Sequence, residues 1–316
     1  MNYRKRFVVD PGARVRLGKI DPGFKDKHDE SHDSATAEIQ KHVERLAKAQ
    51  YLLYADGNRS LLVVLQALDA GGKDGVIRHV FTAMNPQGTL VYSFKEPSKV
   101  EAAHDFLWRA HLHTPAKGQV VIFNRSHYED VLVVRVHQLV PESVWSKRYD
   151  LINDFEKMLH DNGTRILKFY LHISPEEQLE RFAQRLDDPM RHWKISEGDY
   201  SERKLWPDYM KAYEEAMEKT STKHAPWYVV PSNHKWFRNL AISEILADAI
   251  EDMGLKLPPT QVDIAEIRRK YHTAAARQAG GNTSRRRRRT ISKLTSTRPA
   301  MDVTPESRTI ATPEPR

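Results

Sequence analysis

Apolar residues arrive in short unbroken blocks, separated by polar stretches of helical period. Leu61 to Leu68 is a branched-residue run with no charge, Pro or Gly, as expected of a strand buried on both faces. Gln119 to Phe123, Arg165 to Ile173 and Trp227 to Pro231 repeat the pattern, and Thr89 to Phe94 is a shorter strand candidate. Between Ala35 and Tyr54 the residues Ile39, Val43, Leu46, Ala47, Leu53 and Tyr54 share one helical face, and Asp56-Gly57 stops that helix. Ser98 to Glu101 reads as a capping box opening a helix with Val100, Phe106, Leu107 and Ala110 inward, and 142–161 and 239–253 have helical period. Strands alternating with helices predict an α/β domain with a mainly parallel sheet, in which ligands sit at the strands' C-terminal ends.

The first of those ends is rich in chemistry. Asp69 to Gly75 (DAGGKDG) joins the strand to a helix marked by Val76, Ile77, Val80, Phe81 and Met84. The first N–H groups of such a helix lack internal partners and lie at the positive end of its dipole. Gly71 and Gly72 let the backbone curl so that those groups converge on one anion, and Lys73 adds a mobile cation. Against the phosphate-loop pattern G-x-x-x-x-G-K-[ST], Ala67 stands for the first Gly and Asp74 for the Ser or Thr. Asp69 and Asp74 instead supply carboxylates of the kind a hard cation such as Mg²⁺ uses. A Gly-rich turn with a solvated lysine is the alternative.

Charge qualifies the picture. The 316 residues have a net charge of +8, but thirteen Lys and Arg and five Asp and Glu follow from Pro259, so the first 258 residues are formally neutral. An anion site in the folded part must therefore come from local clustering. With no Cys, neither disulfides nor thiolate chemistry arises. No apolar run approaches a membrane span, and the first thirty residues are polar, unlike a signal peptide, so the expectation is a cytoplasmic protein without membrane contact. The His residues, among them His111, His113 and His127, form no metal set of recognisable spacing.

Two further clusters follow the loop. The strand ending at Phe123 leads to Asn124-Arg125-Ser126, where Arg125 can fork two phosphate oxygens or form a surface ion pair, with Glu129 a turn later. Ser174 and Pro175 start a helix on which Arg181 and Arg185 share one face, and Arg191, Lys194, Arg203 and Lys204 come next. Such a run suits the closing lid of a nucleotide kinase, or a solvated face paired with Glu177 and Asp188. Phosphoryl transfer, which relies on positioning and charge neutralisation, is the reaction class left.

LDAGGKDG, QVVIFNRSHYED, ERFAQRLDDP with HWKIS, and APWYVVPSNHKWFRN together resemble the polyphosphate kinase 2 family over about residues 35–255. The resemblance implies a phosphate-loop kinase-like three-layer fold with a helical lid, similar to thymidylate kinases. It implies an enzyme, a phosphotransferase moving the terminal phosphate of inorganic polyphosphate to AMP or ADP, reversibly, with Mg²⁺ and with Mn²⁺ as substitute. Lys73 would hold the phosphate in transfer, Asp69 the metal, and Arg125, Arg181 and Arg185 would neutralise phosphates. Gly71, Gly72, Asp74, Gly75 and Glu129 would line the substrate, with Lys194 in the polyphosphate channel. Members that prefer diphosphates tend to have Asp at Asn124 and Asn or Asp at Glu129, so NRSHYED resembles the subgroup accepting both AMP and ADP. Adenine or other purine nucleotides and a homo-oligomeric assembly are the implied partners.

The expected organisation is an irregular arm over 1–34, a catalytic domain over 35–258 with its lid at about 175–222, and a basic, largely disordered tail over 259–316. Arg285 to Arg289 in that tail would attract nucleic acid or another polyanion. An ATP-dependent nucleoside monophosphate kinase on the same fold is the second reading. A binding protein with an idle core is the third.

Overall fold

The computed structural model describes residues 1–26 and 32–278, and the chain divides into two units at Pro258 and Pro259. In the second unit residues 264–278 are helical with exposed side chains. Arg285 to Arg289 and the rest of 279–316 lie outside the described residues.

In the first unit six strands, β1 (Val8–Val9), β2 (Ser60–Gln66), β3 (Thr89–Ser93), β4 (Val120–Asn124), β5 (Thr164–His172) and β6 (Trp227–Pro231), form one sheet in the order β1-β6-β5-β2-β4-β3. Every neighbouring pair is parallel except β1 with β6. All seven residues of β2 are buried because both faces are covered. Leu61, Val63 and Leu65 face the helices His32–Asp56 and Lys235–Glu251, and Leu62 and Val64 face Arg148–Asp161 and Trp206–Thr220. The result is the expected three-layer α/β fold. The chain leaves β2 toward β4 and β3, then crosses back to β5 and β6, so the tips of β2 and β4 flank the switch point where such sheets hold ligands. No helix among the described residues is long and apolar enough to cross a membrane.

Three local expectations change. The arm over 1–34 is not irregular throughout: Asn2 caps a helix, Tyr3–Phe7, and Val8–Val9 extend the sheet antiparallel to Trp227 and Tyr228. Tyr3, Phe7 and Phe24 pack their rings on Phe237, a distant contact that no local pattern announces. The stretch 142–161 is two helices, Glu142–Trp145 and Arg148–Asp161. Beyond Ser98 the capping box forms, yet its helix ends at Ala102 after one turn, leaving Val100 at 62% exposure. The segment 175–222 holds the helices Pro175–Asp187, Glu197–Lys204 and Trp206–Thr220, with a 3-10 turn at Pro189–Lys194.

Beneath the sheet lies a fully buried ion pair. Lys168 Nζ on β5 donates to Glu156 Oε2 at 2.5 Å, to the Tyr128 hydroxyl at 2.8 Å and to the Thr220 carbonyl at 2.7 Å. Tyr128 precedes Glu129, so the network fixes the turn after β4 against two helices of the lower layer. Every polar atom of the lysine has a partner, which makes so buried a charge tolerable. Removing one partner strands the other. Lys168→Met should therefore lower the unfolding free energy in denaturant by about 3–5 kcal/mol, while Lys168→Met with Glu156→Leu should recover most of it. A double variant as unstable as the single one would show that shape, not charge, sets the cost.

Candidate active site

The loop between β2 and the helix Lys73–Val80 is shaped by close approaches. A Cβ on Gly71 would lie 2.5 Å from the Ala67 methyl and 2.9 Å from the Leu68 carbonyl oxygen, so Ala67 is small and residue 71 is glycine for one steric reason. Gly72 has φ +103° and caps the helix with no side chain hydrogen-bonded there. The helix N-terminus thus keeps its anion-seeking character. Lys73 Nζ curls back to donate to the Ala67 carbonyl at 2.8 Å. Burial, aided by the nearby Arg125 cation, pushes the Lys73 amine down to about 8, against the pull of Asp69, Glu129 and Asp74.

At the end of β4 the backbone of Arg125 turns to φ +61°, and its N–H donates to the Leu65 carbonyl of β2 at 3.0 Å. Left-handed backbone at a non-glycine strand end is a cost that recurs at functional sites. The Arg125 guanidinium meets Asp69 Oδ1 at 2.9 Å and lies 4.0 Å from Glu129 Oε2. Burial raises the Glu129 carboxyl pKa, outweighing the pull of Arg125 and Lys73. Asp74, on the helix's first turn, accepts from Asn124 Nδ2 at 3.1 Å and from Lys194 Nζ at 2.8 Å. Partial burial would raise its pKa, but the Lys194 contact prevails and the net shift is downward. Asp69, Lys73, Asp74, Asn124, Arg125, Glu129 and Lys194 are thus brought together.

Arg181 and Arg185 share a helix but not a role. Arg181 is buried, with its Nε on Glu177 Oε1 at 2.7 Å, one Nη1 donor on the Ala70 carbonyl at 2.8 Å, and Nη2 on the carbonyls of Ser232 and, at 3.2 Å, Asn233. It ties the loop to the turn after β6. Most of its donors are thereby committed to protein oxygens, although it also lines the loop's cavity. Arg185 meets Asp199 Oδ2 at 3.1 Å and keeps its guanidinium beside the loop's cavity. Sequence reading passed over Arg238 on the helix Lys235–Glu251, whose guanidinium packs against Gly72 and Gly75. An arginine amid Phe237, Leu240 and Ala241 was the available signal.

Two cavities meet here, and Asp69 and Arg125 are the residues that line both. One, of about 700 Å³, runs from Gly71–Gly75 under the lid and is lined by eight Lys and Arg against three Asp. The other, of about 550 Å³, is acidic and aromatic, with Glu96, Glu129, Asp199 and Glu202 beside Trp206, Tyr209 and Tyr213. The first suits a multiply charged anion, and the second suits a flatter, less charged group.

Among the described residues no three or more His, Cys, Asp or Glu side chains form a metal-holding group. The carboxylates of Asp69 and Asp74, 32% and 65% exposed, are hard oxygen donors beside the loop. That set fits a divalent cation of the Mg²⁺ type, which keeps waters and phosphate oxygens rather than taking an all-protein cage.

Comparison with known proteins gives one answer. The family model for Polyphosphate kinase 2 matches residues 29–258. An AMP/ADP-polyphosphate phosphotransferase of Meiothermus ruber is 50% identical over 254 residues, 80% of this chain and 95% of that protein. An ADP-polyphosphate phosphotransferase of Rhodopseudomonas palustris is 44% identical over 272 residues, covering 81% and 92%. The crystal structure of polyphosphate kinase 2 from Arthrobacter aurescens superposes with a TM-score of 0.83 at 42% identity, over 86% of this chain and 97% of that one.

The setting of Lys73 can be read directly. Its amine is a cation below pH 8 and neutral above, so acylation of Lys73, followed by peptide mass spectrometry, should rise with a midpoint near pH 8 in the ligand-free protein. A midpoint in the ordinary lysine range would show the amine to be solvated rather than enclosed.

Proposed function

The chain belongs to the polyphosphate kinase 2 family, and from that membership and the paired cavities we propose that it transfers the terminal phosphate of inorganic polyphosphate to AMP and ADP, reversibly, with Mg²⁺ as the divalent ion. The observation that carries this reading is the division of charge across Asp69 and Arg125. A polyphosphate chain has no base or sugar and asks only for a row of cations, which the lid-covered cavity offers. The acidic, aromatic cavity opposite suits a nucleotide, with Trp206 and Tyr209 offering ring faces and the carboxylates acceptors for base and ribose donors.

In the reaction an anionic phosphate oxygen of the nucleotide attacks the terminal phosphorus of the chain. A new P–O bond forms, the bridging P–O bond breaks, and the shortened polyphosphate leaves with that oxygen's electrons. The nucleophile is already ionised, so no side chain has to remove a proton. What the protein must overcome is repulsion between two polyanions. Lys73 and Arg125 are placed to neutralise the phosphoryl group in flight, while the loop's backbone N–H groups, Arg185 and Lys194 hold the donor. Asp69 would hold the metal, which when bound supplies further neutralisation of the phosphate oxygens. Arg181 keeps the loop in place. Homo-oligomerisation is part of the proposal, supported by Leu90 and Val91, about half exposed on the edge strand β3.

An ATP-dependent monophosphate kinase is not favoured by the family match, and among the described residues the cationic cavity offers no enclosed aromatic slot for a donor base, since Trp193 is 78% exposed. The two readings separate when AMP, Mg²⁺ and polyphosphate are mixed with the protein without ATP. ADP should form at the expense of chain length, and no ADP would reject the proposal.

Glu129 should set acceptor choice. Its half-buried carboxyl lines the nucleotide cavity beside Arg125, where it disfavours an additional phosphate. Glu129→Asn should lower phosphorylation of AMP more than of ADP, changing the ratio of specificity constants about tenfold, or ~1.4 kcal/mol. Equal losses on both nucleotides would make the carboxylate merely structural.

A further inference from the structure

Arg238 is 2% exposed, yet no carboxylate among the described residues lies within ion-pair distance of it. Its hydrogen bonds run from Nε and Nη2 to the side-chain oxygen of the adjacent Asn239, at 3.2 and 2.9 Å. Nη1 has no such bond, and the charge that acts on it is another cation, Arg181. Burial, together with Arg181, pushes the Arg238 guanidinium down to about 9. In the free protein this is an expensive arrangement: a buried charge is normally paired, and a Leu or Met would fill the volume between Phe237 and Ala241 without desolvating anything.

The guanidinium lies flat against the phosphate loop. A Cβ on Gly72 would fall 1.9 Å from Nη1, and one on Gly75 would fall 2.9 Å from Nη2. Gly72 caps the helix Lys73–Val80 and Gly75 lies in its first turn, whose free N–H groups suit an anion, so Arg238 sits directly behind backbone that can hold a phosphate. The two arginines behind the loop also differ. Arg181 spends its donors on carbonyl oxygens, whereas Arg238 keeps its charge without a strong acceptor.

We propose that Arg238 is a positioning residue of the donor site: its charge acts across the Gly72–Gly75 backbone on the phosphate held by the loop, and that phosphate is the counter-anion Arg238 lacks in the free protein. The inference rests on polyphosphate being the donor. It accounts for glycine at 75, where a side chain would meet the guanidinium, while Gly72 is required by its left-handed backbone as well. It also makes donor binding and stability two readings of one interaction, because a ligand that binds only the folded state stabilises it.

The test compares full-length wild type, Arg238→Met and Arg238→Lys in thermal unfolding with and without inorganic tripolyphosphate, and in kinetics with AMP and polyphosphate. Without ligand, Arg238→Met should melt at or above wild type, because an unpaired buried charge has gone. Its tripolyphosphate-induced rise in melting temperature should fall below half of the wild-type rise, and its KM for polyphosphate should increase about tenfold with a smaller change in kcat. Arg238→Lys, which keeps the charge, should retain most of the rise. A lower melting temperature for Arg238→Met with a full tripolyphosphate rise would overturn the inference and make Arg238 a packing strut. If Arg238→Met does not fold, Arg238→Lys decides: a rise kept near wild type upholds the role of charge, and a rise lost despite normal folding rejects it. No rise in wild type itself would instead reject the donor assignment on which the inference rests.

Discussion

The bond from the Arg181 guanidinium to the carbonyl of Ala70 is the constraint on which the site depends. A glycine-rich turn is the least ordered backbone a chain can make, and its conformational entropy must be overcome by something outside it. Arg181 does this by joining Ala70 to Ser232 and Asn233, so the turn after β2 is fastened to the turn after β6 across the intervening strand β5. Gln178, one helical turn earlier, donates to the Asp69 carbonyl at 2.9 Å and secures the other side. The stem of the lid is therefore also the frame of the loop. Lys194, at the end of the Pro189–Lys194 turn, closes the circuit through Asp74.

Charge in this fold is sorted rather than accumulated. The first 258 residues carry equal numbers of acidic and basic side chains, yet one cavity is strongly cationic and its neighbour acidic. Field lines between walls of opposite sign are focused at the junction, where Asp69 and Arg125 pair at 2.9 Å. The left-handed backbone at Arg125 follows from this demand: the strand has to end with its side chain turned across the tip of β2 rather than along the sheet.

Legibility in the sequence followed the range of the interactions. Buried parallel strands announce themselves because every residue must be apolar, and β2, β4, β5 and β6 were readable within a residue or two. The loop and Asn124-Arg125 were readable because helix dipoles, glycines and strand ends are local physics. Arg181 was visible but its use was not, since its partners Ala70, Ser232 and Asn233 are far away in sequence. Arg238 was hidden by its surroundings, a polar residue inside an apolar helix whose meaning appears only once Gly72 and Gly75 are set beside it. Tyr3–Phe7 was missed for the same reason: five residues cannot form a stable helix alone, and the rings of Phe24 and Phe237 supply what propensity does not.

Among the described residues Asp69 and Arg125 are the ones that line both cavities, so in the proposed reaction the two substrates share few side chains and most of each cavity wall belongs to one substrate. Such a layout is modular in the evolutionary sense. Substitutions on the wall formed by Glu96, Trp206 and Tyr209 can retune the choice of nucleotide without touching the machinery that grips the phosphate chain, and changes under the lid can alter chain-length range with the acceptor untouched. Variation that would be lethal in an enzyme with one shared pocket becomes searchable one cavity at a time, which makes this architecture a favourable starting scaffold for altering acceptor preference.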